Sequence, residues 1–477
     1  MTTPKIQNSK FKIQNSESWH FIGIGGAGMS ALASALLDLG ASVSGSDMAA
    51  SDATEELEAR GARIHIGHSA DNLGDATRVV VTAALSDDNP ELVTAHERGI
   101  PVIKRAALLG ELMDLRRGIA VAGTHGKTTT SSMIAWILSK AGRDPSYMIG
   151  GTIRGLGPGG HWGSGEELVA EADEYDRSFL HLRPDVAVIT NVESDHLEYY
   201  GSHLAIHQAF LQFALSVRPG GLLLLCDDAY GVRAILEGLI FAHSADGDLP
   251  YRTPFYGTNG ASAWQARNIE ANEQGGTSYI AFRDREELTR VSLQIPGKHN
   301  ALNSLAALAA CVEVGVPAED AARLLGDFVG AGRRFEVKGE VKGITVVDDY
   351  AHHPTEIDAT LQAARQRYPS NRLVVLFQPH TYTRTRDFLD DFASSLSAAD
   401  HILVTEIYAS RERDTLGMSG RHIVEKMPGE NATFVPTLED ATNTLLDELR
   451  PGDVLLTMGA GDVWKVGEAI LESLHIP

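Results

Sequence analysis

Only two cysteines, Cys226 and Cys311, occur in 477 residues, and they form no C-x-x-C pair. That spacing excludes a disulfide framework and a zinc knuckle, so both thiols are expected as small buried apolar groups. Cations are scarce too: 41 Lys and Arg against 63 Asp and Glu leave a formal net charge of −22. A surface of that sign repels nucleic-acid phosphates and anionic lipid headgroups, so neither partner is expected. No apolar run approaches the length of about 18 residues that spans a bilayer, and no basic stretch leads into an apolar one near the start. A cytoplasmic protein without membrane insertion, monomeric or homodimeric, is the expectation.

What is abundant is glycine, 47 residues, within a chain that is 43% hydrophobic and 22% charged. These are the proportions of a globular protein, and the length exceeds one ordinary core. The segment 1–17, with KIQNS at 5–9 and again at 12–16, is polar and expected as a disordered tail. From Trp19 onward, apolar strands alternate with helix-periodic runs, which predicts an α/β protein with largely parallel sheets.

Three segments separate: 18–115, 116–330 and 331–477. The first opens with WHFIGIGGAGMSALASALLDLG, a strand, a glycine turn at Gly23, Gly25 and Gly28, and a helix. The following strand, ASVSGSD, ends in Asp47, near the distance at which a dinucleotide fold sets an acid on a ribose. The second begins with AVAGTHGKTTTSSMIAWIL, 120–138, and carries the strands ELVAEAD and DVAVITNV. The third contains the strands GITVVDDY, RLVVLFQP, HILVTEIY and DVLLTMGAG. Ligands of such sheets bind beyond the carboxyl ends of the strands, where each polar cluster below falls.

The stretch GTHGKTTT departs from G-x-x-x-x-G-K-[ST], because Val121 stands where the first glycine belongs. Its physics is still that of a phosphate cradle: a strand end, Gly123 and Gly126, Lys127, then hydroxyls entering a helix whose N-terminal dipole favours anions. Lys127 places a point charge on outer phosphates, and Thr128 offers a hydroxyl to magnesium. The bland alternative is a βα turn whose threonines cap the helix.

Around it lie two acidic clusters at strand ends: Glu171, Asp173, Glu174 and Asp176, then Asn191, Glu193, Asp195 and His196. Hard oxygen ligands beside a phosphate turn suit magnesium–nucleotide chemistry, and Glu171 and His196 are singled out. In GKHNALNS, Asn300 either caps the helix or contacts a base edge. VGAGRRFE supplies Arg333 and Arg334, and VVDDYAHHPTEI supplies Asp348, Asp349, Tyr350, His352 and His353. Adjacent histidines without further ligand spacing argue against zinc. FQPHTYTRTRDF adds His380, Arg384 and Arg386, cations suited to carboxylates or phosphates. G-x-G-x-x-G at 23–28 alone also fits a nicotinamide dehydrogenase, and the phosphate turn alone fits a nucleotide switch that hydrolyses ATP without joining anything. The dehydrogenase reading leaves the second glycine turn, the acidic clusters and Arg333 without a role.

With these stretches in order, from HFIGIGGAGMSALA through GTHGKTTT, EADEYDRSFL, NVESDHLEYYG, GKHNALNSLAA, RRFEVKG and DDYAHHPTEI to FQPHTYTRT, the chain resembles the Mur ligases over nearly its whole length from His20. In that family the turn reads G-T-x-G-K-[ST]-T, so Val121 is no defect. The resemblance implies a Rossmann-like N-terminal domain, a central P-loop ATPase-type domain with a mostly parallel sheet, and a Rossmann-like C-terminal domain. It implies an ATP- and Mg²⁺-dependent ligase whose partners are UDP-N-acetylmuramate and L-alanine, acting through an acyl phosphate in peptidoglycan precursor synthesis. Gly23, Gly25, Gly26, Gly28, Asp47 and His68 are then expected to hold the UDP-sugar. Gly123, Thr124, His125, Gly126, Lys127, Thr128, Thr129, Asn300, Arg333, Asp348 and Asp349 are expected around ATP, and Thr128, Glu171 and His196 around the metal. Tyr350, His352, His380 and Arg384 are expected around the amino acid and the reacting carboxylate. Lys127, His196, Arg333, His352 and Arg384 form the implied catalytic set, and the last domain is expected to close over the others. Three departures stand out: Thr381 where some members have arginine, Ala83 where serine is expected, and no lysine between Glu171 and Gly201 to be carbamylated.

Overall fold

The computed structural model describes residues 17–82, 85–243, 248–410 and 412–475. The duplicated KIQNS segment and Ala83 lie outside them. Three α/β sheets follow one another along the chain. In the first, the strands stand in the order Arg63–Ile66, Ser42–Asp47, Ser18–Ile22, Arg78–Val81, Val102–Lys104, all parallel. The strand order reverses at Ser18–Ile22, so a crevice opens beyond its carboxyl end, where the glycine turn leads into the helix Ala27–Asp38.

The central sheet has ten strands in the order Glu286–Ser292, Thr277–Arg283, Trp264–Ala271, Phe255–Gly257, Leu222–Cys226, Val186–Ile189, Arg117–Ala122, Glu167–Glu171, Ser146–Ile153, Gly157–His161. Arg117–Ala122 lies between Val186–Ile189 and Glu167–Glu171, parallel to both, with Ala122 opposite Ile189 and Val121 opposite Glu171. Ile119, Ala120, Val121 and Ala122 are fully buried, as expected of a strand covered on both faces. This register sets the phosphate turn beside the two acidic clusters.

The third sheet runs Glu336–Val341, Ile344–Asp349, Val454–Met458, Leu373–Phe377, His401–Val404, Ala432–Phe434. Only the first of these strands is antiparallel to its neighbour. Separate apolar cores cover its two faces, one built around Phe377 and Phe392 and one around Leu376 and Leu455.

The chain gathers into two compact units, Met1–Arg267 with Ile280–Val291 and Leu302–Leu325, and Asn268–Tyr279 with Ser292–Ala301 and Gly326–Pro477. The first two sheets therefore belong largely to one unit, although the sequence sets them apart as 18–115 and 116–330. Within that unit, Gly160 of the central sheet lies so close to Ala31 in the helix Ala27–Asp38 that any side chain at 160 would overlap it. Cys226 and Cys311 are free and buried, as expected. Among the described residues no helix is long and apolar enough to cross a membrane.

Candidate active site

The turn after Arg117–Ala122 takes its shape from two glycines with positive φ, Gly123 at +143° and Gly126 at +82°. A Cβ at 123 would overlap Thr190 Oγ1, and one at 126 would lie 2.7 Å from Asn303 Oδ1, so neither position admits a side chain. Gly126 is the N-cap of the helix Lys127–Lys140, and no side chain caps it. The threonines therefore lie inside the helix and do not cap it, which leaves its first-turn N–H groups for an anion.

The neighbouring strand end clamps the turn. His125 N–H donates to Asn191 Oδ1 at 2.8 Å, while the Asn191 amide and the Thr190 hydroxyl donate to His125 O at 3.0 and 2.6 Å. Glu193 N–H donates to Thr124 Oγ1 at 2.9 Å. With both faces of the turn tied to Thr190–Glu193, its N–H groups are held before any ligand arrives, the form of preorganisation that electrostatic catalysis requires.

Lys127 Nζ donates to the carbonyls of Gly123 and Thr124, at 2.6 and 3.1 Å, and lies 2.8 Å from Glu174 Oε2. Burial alone would depress this ammonium, but Glu174, Asp173 and Glu171 hold its pKa up at about 12. It is a permanent cation. Burial pushes the Glu174 carboxyl above its ordinary value, against the pull of Lys127. Thr128 Oγ1 donates to Glu171 Oε1 at 2.8 Å, and Glu171 Oε2 accepts Gly150 N–H at 2.8 Å. A hydroxyl and a carboxylate in contact at the mouth of a phosphate turn are hard donors that fit Mg²⁺. His196 adopts a left-handed backbone, φ +54°, with its ring 5.1 Å from that of Tyr175, and it stands close enough to act on the Glu174 carboxyl. Lys127, Thr128, Glu171 and His196 thus belong to one electrostatic cluster. Glu174, Thr190 and Asn191 complete it.

In the first sheet, Gly25 N–H donates to Asp47 Oδ2 at 2.8 Å, so the strand-end acid holds the glycine turn. Gly23 N–H donates to Ser46 O, and Gly26 is the N-cap of Ala27–Asp38, again without a side-chain cap. A Cβ on Gly28 would lie 2.5 Å from Arg105 Nη1, which brings an otherwise unremarked cation against the turn. His68 lies at the next strand end, its Nδ1 3.0 Å from Ser46 Oγ.

The second unit carries the remaining candidates. Asn300 is the third residue of the helix Lys298–Glu313 and donates to Pro296 O at 2.7 Å, so it does not occupy the N-cap position considered for it. Arg333, with φ +56°, donates to Asp348 Oδ2 at 2.9 Å and to the carbonyls of Gly459 and Gly461 at 2.7 and 3.2 Å. Its guanidinium and that of Arg334 each lie 5.1 Å from the Tyr350 ring. Asp349 accepts N–H bonds from Phe335 and Ala351, both at 2.7 Å, and burial lifts its pKa to about 6. His352 packs edge-on against Tyr350 and His380, and His380 Nδ1 accepts from Arg384 at 3.0 Å. His353 caps the helix Pro354–Arg367, its side chain accepting Thr355 N–H. Thr381 sits at φ +65°, and Glu412 accepts the N–H groups of Tyr382 and Thr383. Tyr350, His352, His380 and Arg384 are brought together as one aromatic and cationic group.

Three family models match in succession: "Mur ligase family, catalytic domain" over 18–117, "Mur ligase middle domain" over 121–311, and "Mur ligase, glutamate ligase domain" over 333–461. The chain is 46% identical to the UDP-N-acetylmuramate–L-alanine ligase of Solidesulfovibrio magneticus, across 95% of this chain and 97% of that protein. It is 45% identical to the ligase of the same name from Salinibacter ruber, across 96% and 94%. Among solved structures, the UDP-N-acetylmuramate–alanine ligase of Thermotoga maritima superposes with a TM-score of 0.79 at 30% identity, covering 96% of this chain and 99% of that one. A murein peptide ligase from Psychrobacter arcticus gives 0.70 at 26% identity, covering 97% and 99%.

Proposed function

The chain belongs to the Mur ligase family, and we propose that it joins L-alanine to the lactyl carboxylate of UDP-N-acetylmuramate, consuming ATP and releasing ADP and phosphate in peptidoglycan precursor synthesis. The observation that carries this reading is the clamped turn with its permanent Lys127 cation and adjoining Thr128–Glu171 pair, on a chain 46% identical over 95% of its length to a relative of that name.

A free carboxylate resists attack by an amine because oxide would have to leave; ATP's γ-phosphoryl, accepted by the carboxylate, gives an acyl phosphate from which the amine displaces phosphate. Lys127 and the first-turn N–H groups offset the charge of the transferring phosphoryl. Thr128, Glu171 and His196 would hold magnesium, which spreads that charge further. Gly23, Gly25, Gly26 and Gly28 receive the diphosphate of the sugar nucleotide, with Asp47 and His68 beyond it. In the second unit, Asn300, Arg333, Asp348 and Asp349 serve the ATP nucleotide, while Arg384, oriented through His380, serves the amino-acid carboxylate beside Tyr350 and His352. The functional divisions proposed are 18–115, 116–330 and 331–477.

The test is the mass of the product formed from protein, ATP, magnesium, UDP-N-acetylmuramate and each amino acid in turn. L-Alanine is expected to give the amide, with slow use of glycine or serine, since one methyl or hydroxyl is discriminated only about 10- to 200-fold. If phosphate release is driven better by L-alanyl-γ-D-glutamyl-diaminopimelate, the acceptor assignment moves to a whole peptide.

A further inference from the structure

The first sheet contains a buried polar cluster around Glu91 to which the proposed ligation gives no direct role. Glu91, on the first turn of the helix Pro90–Glu97, is fully buried. Its Oε2 accepts the Ser46 hydroxyl at 2.5 Å and lies 3.3 Å from His68 Nδ1 and 3.7 Å from His20 Nε2. Its Oε1 accepts the Asn72 amide at 2.6 Å and Ser69 N–H at 3.4 Å. Burial by itself would raise this carboxyl; the His20 ring and the Ser46 and Asn72 donors hold it at about 2. His20 is buried as well, its Nδ1 2.9 Å from Ser44 Oγ. Burying a charge with this many partners is costly, and an apolar group of the same size would pack the site more cheaply. The cluster therefore calls for a reason beyond stability.

The hydrogen-bond directions supply one. An ionised Glu91 only accepts, so the Ser46 hydroxyl must donate to it. The Ser46 oxygen then has only lone pairs to offer His68 Nδ1, 3.0 Å away, and that nitrogen must carry the proton. In a neutral imidazole the other nitrogen, Nε2, is then a bare acceptor. Nε2 makes no hydrogen bond among the described residues, and 18% of the side chain remains exposed. The loop that bears His68 is itself fixed, with Gly67 N–H on Asp47 O at 2.8 Å and the Asn72 amide on Gly67 O at 3.0 Å.

Position says what the acceptor meets. In a parallel sheet of this type the diphosphate lies on the first strand–helix turn and the ribose at the end of the second strand. A base that continues in that direction meets the third strand, Arg63–Ile66, and His68 stands two residues past its end. We infer that Glu91, through Ser46, locks His68 as an Nδ1–H tautomer so that Nε2 accepts the N3–H of a uracil, which makes His68 the residue that selects uridine over cytidine nucleotides. Cytosine presents a lone pair at N3, and two acceptors face to face exclude it. This inference rests on the proposed UDP-sugar reading of the first sheet. His68 contacts the ligand; Glu91 and Ser46 are positioning residues.

The experiment measures dissociation constants of UDP, CDP and ATP by calorimetry for the wild-type protein, His68→Ala and Glu91→Gln, with the 15N shifts of histidine-labelled wild-type protein compared with those of His68→Ala. Wild type is expected to bind UDP roughly 100-fold more tightly than CDP, the upper end of what one acceptor left without its donor costs. His68→Ala should bring that ratio to within a few fold of one while ATP affinity, the control for an intact fold, stays unchanged. Glu91→Gln frees the tautomer and should narrow the ratio as well, and the His68 signals should show a protonated Nδ1 and an unprotonated Nε2. A ratio that survives in His68→Ala, or a protonated Nε2, overturns this inference alone. Wild-type protein that binds neither UDP nor CDP overturns the UDP-sugar reading along with it.

Discussion

Replacing Lys127 by alanine removes two things at once, and the structure lets them be separated. The ammonium is the partner of Glu174, whose side chain is 4% exposed and 2.8 Å away. Stranding a buried carboxylate by deleting its partner costs about 3–5 kcal/mol. Lys127→Ala is therefore expected to be folded but destabilised by that amount, read as a lower urea midpoint in tryptophan fluorescence. Adding Glu174→Gln removes the stranded charge and should restore at least about 1–2 kcal/mol, because the amide can still hydrogen-bond. Turnover behaves differently. The phosphoryl group needs the cation itself, and loss of one preorganised charged donor costs on the order of 100- to 1,000-fold in rate. Phosphate release should fall by that factor in Lys127→Ala and stay low in the double variant. If the double variant regains turnover with stability, Lys127 acts only by neutralising Glu174; if Lys127→Ala is as stable as wild type, the buried pair contributes nothing and the electrostatic account of the turn fails.

Asp47→Ala should weaken UDP-N-acetylmuramate binding by about 10- to 100-fold, the worth of a charged hydrogen bond to Gly25 N–H, without changing ATP affinity; equal losses for both ligands would contradict the assignment of the first sheet. Glu171→Gln keeps an oxygen for Thr128 but loses the charge, so half-maximal activity should need more magnesium, and an unchanged magnesium titration removes Glu171 from the metal site. Burial raises the Asp349 carboxyl from its ordinary 3.8 to about 6, so its contribution to stability is complete below the lower value and is lost as pH climbs through the upper one. Between pH 4 and 7 the wild type should lose up to about 3 kcal/mol relative to Asp349→Asn, which cannot titrate; parallel pH profiles would show that Asp349 is not perturbed.

How much of this was readable in the residues depends on the range of the interaction. Strands such as Arg117–Ala122 and Val454–Met458 announce themselves as short apolar runs closed by glycine, because a strand covered on both faces needs nothing else. The glycine turns are equally local: positive φ at Gly123 and Gly126 is a property of the stretch itself. Side-chain pairing across the sheet is not local. Glu174 and Asn191 could be placed in acidic clusters, yet nothing in EADEYD or TNVESD shows that one takes the Lys127 ammonium and the other the backbone of His125; that follows from the register of three neighbouring strands. Asn300 shows the converse error. A polar residue near a predicted helix start reads as a cap, but the helix begins at Lys298, two residues earlier, and the same amide turns back to Pro296 O. The Glu91 cluster was the least legible part, because PELVTAHE reads as an amphipathic surface helix with an acid in its first turn, where the dipole welcomes one. Only the fold carries that acid under Ser46, 45 residues away in sequence, and turns an ordinary capping charge into a buried one. The pattern of a chain thus fixes where a site must open, at the carboxyl ends of its strands, whereas the protonation states within it are set by contacts that sequence distance hides.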